Sequence, residues 1–298
     1  VRSRGLGDVY KRQPLNFAQP LQRRKPVEVA NPERFALELA NLGVSVRLTL
    51  HWQNKDYWVL VRQRRQDRGD VVLKLISGYV PAHELNLPLH TAIQEIAEEC
   101  LLETPEGWLG GRFNDTWLPA PYSAALHYRE ALPFRLSPLS GAARPVRCAT
   151  MQLIERPRAY VHLPTASLQL IYDLRLEVPK EAKSLSLFHV DERLEGDQLV
   201  ARLDRQRPDL YLMPLKDGQP LAELYTVKKD QLYPASTRGL YLAESFAQQE
   251  GWLVRDERIR WKDWLRQQGL AEPEKESKLK RLAQRVLRKI VPKKKAKG

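Results

Sequence analysis

Apolar and polar positions alternate residue by residue in several short stretches of the chain, and in one stretch the apolar positions return every third or fourth residue instead. Residues 44–50 and 57–64 alternate and carry β-branched side chains, which predicts two strands closed into a hairpin by the turn at 53–56. A third apolar run follows at 71–76. After a loop at 84–89 containing Pro88, the period changes: Leu89, Ile93, Ile96 and Cys100 form one stripe and predict a helix from Leu89 to Leu102. Upstream, Asn31-Pro32 reads as an N-cap with proline in the first turn, opening a helix to about Leu42. Downstream, strands are predicted at 108–118, 148–155 and 167–178, separated by proline-bearing turns and a long irregular stretch at 119–145. Short strands with a turn at Lys216-Asp217-Gly218 occupy 210–233, and helices are expected at 240–249 and 256–268. Trp261, Trp264 and Leu265 on the last helix read as core-docking residues.

Composition changes this picture little. The chain has 298 residues, 43% of them hydrophobic, enough to bury one large core or two smaller ones. It contains no apolar run of the roughly 18 residues needed to span a bilayer and no secretory leader pattern, so a cytoplasmic location is expected. Cys100 and Cys148 lack CxxC spacing and read as small core residues, not as a disulfide or a thiolate metal site.

Charge changes it more. The formal net charge is +13, but it sits at the ends: Arg2, Arg4, Lys11 and Arg12 against Asp8 give residues 1–13 a charge of +3, and eleven Lys or Arg against Glu276 give 275–298 a charge of +10. The body at 14–274 is therefore neutral, which removes nucleic acid from its expected partners. Residues 3–13, SRGLGDVYKRQ, match the translation of a transposase sequencing adaptor, so 1–13 are read as an assembly scar and the native N-terminus is expected to lie elsewhere. Residues 14–30 are polar, proline-bearing and irregular. In the tail, Leu279, Leu282, Val286, Leu287 and Ile290 form an apolar stripe on an otherwise basic helix. Within the terminal segment 271–298, residues 275–298 could rest on an anionic membrane, grip nucleic-acid phosphates or stay solvated, which leaves open a peripheral membrane location.

The candidate chemistry lies on the first long helix. Glu95, Glu98 and Glu99 fall at i, i+3 and i+4 and share a face opposite the apolar stripe. Like charges so placed repel by about 0.2–0.5 kcal/mol per pair when solvated, a repulsion relieved by a shared cation. Upstream, Gly78 follows a predicted strand and Glu84 lies six residues later. These residues resemble the Nudix family, whose box runs Gly, five residues, Glu, seven residues, then Arg-Glu-apolar-any-Glu-Glu-any-Gly-apolar. Here it reads Gly78, five residues, Glu84, nine residues, then Gln94-Glu95-Ile96-Ala97-Glu98-Glu99-Cys100-Leu101-Leu102. The spacer is two residues longer, Gln94 stands for arginine and Leu101 for glycine.

The resemblance covers residues 78–102 and implies an α+β fold, a mixed β-sheet sandwiched between helices, over 31–205; residues 206–270, outside the resemblance, read as an α/β C-terminal extension packed on it. It implies hydrolysis of a nucleoside diphosphate linked to another moiety, with Glu95, Glu98 and Glu99 holding Mg²⁺ or Mn²⁺ and Glu98, Glu99 and Glu84 as the catalytic set, the general base being open between Glu84 and a later residue such as Glu103. The physical logic agrees, since Mg²⁺ takes a few carboxylates, keeps waters and completes its shell with substrate phosphate oxygens. His83, beside Glu84, is a candidate substrate contact or a solvated loop residue. No P-loop, HExxH or GxSxG motif occurs, and no two of the six histidines have helical metal-ligand spacing. Two function classes remain: a metal-dependent pyrophosphohydrolase acting on a small phosphate-containing substrate, and a Nudix-like domain that binds a ligand or partner without turnover.

Overall fold

The computed structural model describes residues 41–64, 71–139, 146–148, 151–153, 157–162, 167–195, 198–247, 253–254 and 258–270. The expected helix at 31–42 lies outside them up to residue 40, and residues 41 and 42 are already strand. The segments 1–30 and 271–298, with the basic stripe, also lie outside.

The chain opens with the predicted hairpin, β1 (Asn41–Trp52) and β2 (Lys55–Arg64). Trp52 pairs with Lys55, so the turn is only Gln53-Asn54, with φ of 50° and 60°. That positive-φ pair gives the twist that antiparallel strands favour. The apolar run after it is two strands, β3 (Val71–Lys74) and β4 (Ile76–Tyr79), broken at Leu75. β3 pairs with β2 and β4 pairs with β1, because β1 and β2 pair with each other only from Thr49 and Trp58 to the turn. One short segment thus fills both edges where the hairpin splays.

Next come α1 (Pro88–Glu99), β5 (Leu101–Thr104), β6 (Gly107–Phe113), β7 (Thr116–Trp117) and β8 (Tyr128–Pro138). The stretch expected to be irregular therefore contains an eleven-residue strand. Pro133 hid it, since proline argues against a regular strand; here it falls in an irregularity where β8, paired in parallel with β6, gains extra residues between Arg129 and Phe134. β9 (Val146–Cys148) and β10 (Met151–Leu153) form a small hairpin, followed by β11 (Arg158–His162) and β12 (Ser167–Glu177). β12 runs parallel to β1 from Asn41↔Ser167 to His51↔Glu177 and antiparallel to β8 and β11. This mixture of parallel and antiparallel pairs, with helices, makes the fold α+β around a mixed sheet.

The rest is mostly strand: β13 (Ser186–Phe188), β14 (Asp191–Glu195), β15 (Gln198–Arg202), β16 (Leu210–Lys216), β17 (Gln219–Pro220), β18 (Tyr225–Lys228), β19 (Gln231–Pro234) and β20 (Tyr241–Ala243). α2 (Glu244–Ala247), β21 (Leu253–Val254), β22 (Arg258–Arg260) and α3 (Trp261–Gln267) complete it. The turn at Asp217-Gly218 is as expected, with φ of 52° and 76°. Both expected C-terminal helices are shorter than their apolar pattern suggested, because Tyr241–Ala243 and Arg258–Arg260 pair with each other as strands. β16 joins the sheet beside β2, and β20 joins beside β3.

Alternation splits the interior in two. On β2, Val59 and Val61 enter one core and Leu60 the other; on β12, Tyr172 and Leu174 part from Ile171; on β16, Leu212 parts from Met213. Ile93 and Ile96 of α1 pack into the first core, whereas Phe246 of α2 and Trp261, Trp264 and Leu265 of α3 pack into the second. Helices thus cover both faces of the sheet. Among the described residues no helix is long and apolar enough to cross a membrane.

Near the first turn, Asp56 accepts from His51 Nδ1 at 2.6 Å and from Arg175 Nη1 at 3.2 Å. Burial alone would raise the Asp56 carboxyl, but the hydrogen bonds from His51 and Arg175 outweigh it and hold the carboxyl below its ordinary value. A depressed carboxyl contributes stability above its unfolded value, about 3.9, that is lost as pH falls through the folded value. Because the Asp56 side chain is 38% exposed, the contribution is under about 1 kcal/mol. Asp56→Asn should therefore flatten the acid limb of the urea midpoint against pH between neutrality and about pH 3. An acid limb as steep as that of the wild type would refute it.

Candidate functional site

α1 begins at Pro88, whose missing N–H costs nothing in the first turn, and ends when Cys100 takes an extended backbone while its N–H still reaches the Ile96 carbonyl at 3.0 Å. The helix is thus shorter than the predicted one, which ran to Leu102. Leu101 and Leu102 leave directly as β5, and Leu101 is buried with Trp108, Phe188 and Val190. A leucine where the resemblance expects glycine therefore has a packing reason: the exit is a strand, not a loosened helix end.

The acidic face lies against the end of β4. A Cβ built on Gly78 would overlap the Glu95 carboxylate, so the bare glycine backbone is what seats that side chain. Gly78→Ala should move the Glu95 side chain, a flexible end, and leave the strand in place. We expect the melting temperature to stay within a few degrees of the wild type while any divalent-dependent turnover falls roughly tenfold or more. A melting temperature lowered by more than about 10 °C would mean that the backbone had moved instead.

Glu99 is held by the neighbouring strand. Lys74 Nζ lies 3.0 Å from Oε1 and 3.4 Å from Oε2 of Glu99, and the Ser77 N–H donates to Oε2 at 3.4 Å. The same ammonium donates to Ser77 Oγ at 3.2 Å and to the Ser77 carbonyl at 3.4 Å. Both partners are largely covered, with side-chain exposures of 10% and 13%. Glu98 is half-buried, and its carbonyl accepts from Tyr122 Oη at 3.2 Å.

Glu84 sits in a 3-10 turn, Ala82–Glu84, and is buried. Its Oε2 accepts from Thr91 Oγ1 at 2.8 Å, and His83 Nε2 and His90 Nδ1 each lie 3.5 Å from its Oε1. The loop glutamate is therefore anchored to the first turns of α1 by Thr91, a task the resemblance gives to an arginine where this chain has Gln94. His83 is exposed and flanks that carboxylate.

The fold thus brings Glu95 and Glu99 to one strand end, keeps Glu98 on the same helix, and gives Glu84 its own partners. Lys74, Ser77 and Thr91 were not singled out from the sequence. Lys74 left a signal, a single charge inside the apolar run 71–76; Ser77 and Thr91 left none. Cys100 is buried, and burial, with the Glu99 charge, pushes its thiol up to about 12, so it is inert packing. On the other flank of α1, Ala97, Cys100, Gly110, Gly111, Trp117 and Phe134 line part of a pocket of about 110 Å³.

Among the described residues no group of three or more His, Cys, Asp or Glu side chains is arranged to hold a metal ion. The donors nevertheless suit one that needs few protein ligands: hard carboxylate oxygens on Glu95, Glu98 and Glu99, that of Glu95 seated over the Gly78 backbone. Glu99 is paired with Lys74. Compared with known proteins, the sequence matches no family model and no curated protein.

Proposed function

We propose that this chain is a Mg²⁺- or Mn²⁺-dependent hydrolase of the Nudix type, cleaving the pyrophosphate bond of a nucleoside diphosphate linked to another moiety. The observation that carries the reading is the seating of Glu95 on Gly78, beside Glu99, at the end of β4. The bare backbone at Gly78, with the Glu95 carboxylate lying over it and Glu99 bonded to the Ser77 N–H, puts two carboxylates side by side, where a cation and a polyanion can approach together. Glu95 and Glu98 would hold the ion, with Glu99 joining them once it leaves Lys74. When bound, such an ion neutralises diphosphate charge and makes a water molecule acidic enough to attack phosphorus. Glu84, fixed by the Thr91 hydroxyl, would serve as the general base, with the His83 and His90 rings 3.5 Å from its other oxygen. The basic tail, 275–298, would bring the domain to an anionic membrane or nucleic acid from the cytoplasm.

A second reading, a Nudix-like module that binds without turnover, is favoured by the Lys74–Glu99 pair, which satisfies one of the three carboxylates with no metal at all. The full chain, incubated with Mg²⁺ or Mn²⁺ and a panel of nucleoside diphosphate derivatives, separates the two. Hydrolysis that stops on adding a chelator is the expected result. Retention of a panel member on the protein without turnover would favour the second reading, and turnover indifferent to chelator would sink the metal.

A further inference from the structure

We infer that Lys74 is the resident cation of the acidic face, and that its ammonium and a divalent ion exclude each other at Glu99. The inference rests on the proposed metal reading and adds to it how the site behaves before the metal arrives.

An ammonium has three N–H donors and no acceptor, and taking it out of water is costly unless each donor finds a partner. Here all three do: the Glu99 carboxylate, Ser77 Oγ and the Ser77 carbonyl. The residue flanks leave the lysine little else, because Val72, Leu73, Leu75 and Ile76 around it are buried apolar residues. The ammonium also approaches both Glu99 oxygens, at 3.0 and 3.4 Å, and so covers the bidentate face that a metal would use. With side-chain exposures of 10% and 13%, the pair is built into the fold and is not a passing surface contact.

Two cations cannot share that face. A divalent ion must first expel the ammonium, so the protein's affinity for the ion is its intrinsic affinity reduced by the strength of the Lys74 contacts. The expelled ammonium stays on a flexible four-carbon stem close to the site, where a substrate phosphate would give it a new acceptor. Metal and polyanion binding are thereby coupled through one side chain.

Mn²⁺ titration of the full chain, read by the electron paramagnetic resonance of the free ion and by the melting temperature in Mn²⁺ against chelator, tests this. Lys74→Met keeps the stem and removes the charge. It should bind Mn²⁺ about tenfold tighter than the wild type and gain more melting temperature from the ion. Ser77→Ala, which removes one acceptor and keeps the ion pair, should shift affinity in the same direction by about two- to threefold. Glu99→Gln in either background should abolish the difference. If Lys74→Met folds only in the presence of Mn²⁺, the ion has replaced the ammonium and the inference holds; if it folds in neither buffer, Ser77→Ala decides by the same titration. Mn²⁺ affinities equal to the wild type in both variants would overturn the competition and leave the metal site standing. No Mn²⁺ binding by any form would overturn both.

Discussion

Glu99→Gln should lower turnover on the order of 10³-fold and also destabilise the fold by about 2–3 kcal/mol, and the two losses should separate in a double variant. The stability loss arises because the neutral amide leaves the Lys74 ammonium buried without a countercharge. Removing one member of a buried pair costs about 3–5 kcal/mol, and the slight exposure of both side chains brings the figure down. Replacing both members costs much less, since no charge is then stranded. Lys74→Met combined with Glu99→Gln should therefore recover most of the urea midpoint, while turnover stays at the level of Glu99→Gln alone. The measurement is a thermodynamic cycle of four proteins, each assayed for unfolding and for hydrolysis. A double variant as unstable as Glu99→Gln would show that Lys74 and Glu99 are not coupled. Recovery of turnover with stability would show that Glu99 acts only through the fold.

Trp261→Ala should destabilise by about 3–5 kcal/mol, the largest loss expected from any single truncation in the second core. Trp261 is 2% exposed, and its N–H of the main chain bonds the Leu240 carbonyl at 3.0 Å, tying α3 to the start of β20. Its ring lies 5.8 Å from that of Trp264, Trp264 lies 5.0 Å from Phe246, and Phe246 lies 5.7 Å from Trp58 on β2. This chain of rings runs from the last helix to the hairpin, so alanine at its start opens a cavity that backbone on both sides resists filling. The melting temperature should fall by roughly 10 °C, while any Mn²⁺ binding at the opposite face should not change below the transition. Tyr233→Ala, at a side chain 46% exposed, is the comparison and should cost under about 0.5 kcal/mol. Equal effects at the two positions would mean that the second core contributes little to cooperativity.

Legibility followed physical cause. The hairpin, the period of α1, the strand at 167–178 and the core role of Trp261 and Trp264 were readable because a two-sided environment imposes alternation or a stripe. β8 was not, because Pro133 and the irregularity around it interrupt the pattern that announces a strand. The split at Leu75 was not, since it falls inside the single apolar run 71–76 and only the splaying of β1 from β2 separates the two strands. Helices at the C-terminal end were overextended because 241–243 and 258–260, at the starts of the two expected helices, serve strand pairing instead. At the site, the acidic stripe was legible as a pattern on one helix. Lys74, Ser77 and Thr91 were not, because each meets its glutamate through the packing of strand or turn against α1.

The parallel pairing of β1 with β12 has a consequence for how the chain reaches this state. β1 finds β2 at once, but its other edge stays open until Ser167–Glu177 is available, and the Arg47–Asp173 ion pair at 2.6 Å cannot form earlier. Pairing so distant in sequence must close a large loop before it gains any contact, which slows folding relative to a fold built from neighbours. On the ribosome, at roughly 5–20 residues per second, the hairpin would wait several seconds with an apolar edge exposed. Slow refolding from denaturant is the trait expected of this single strand placement.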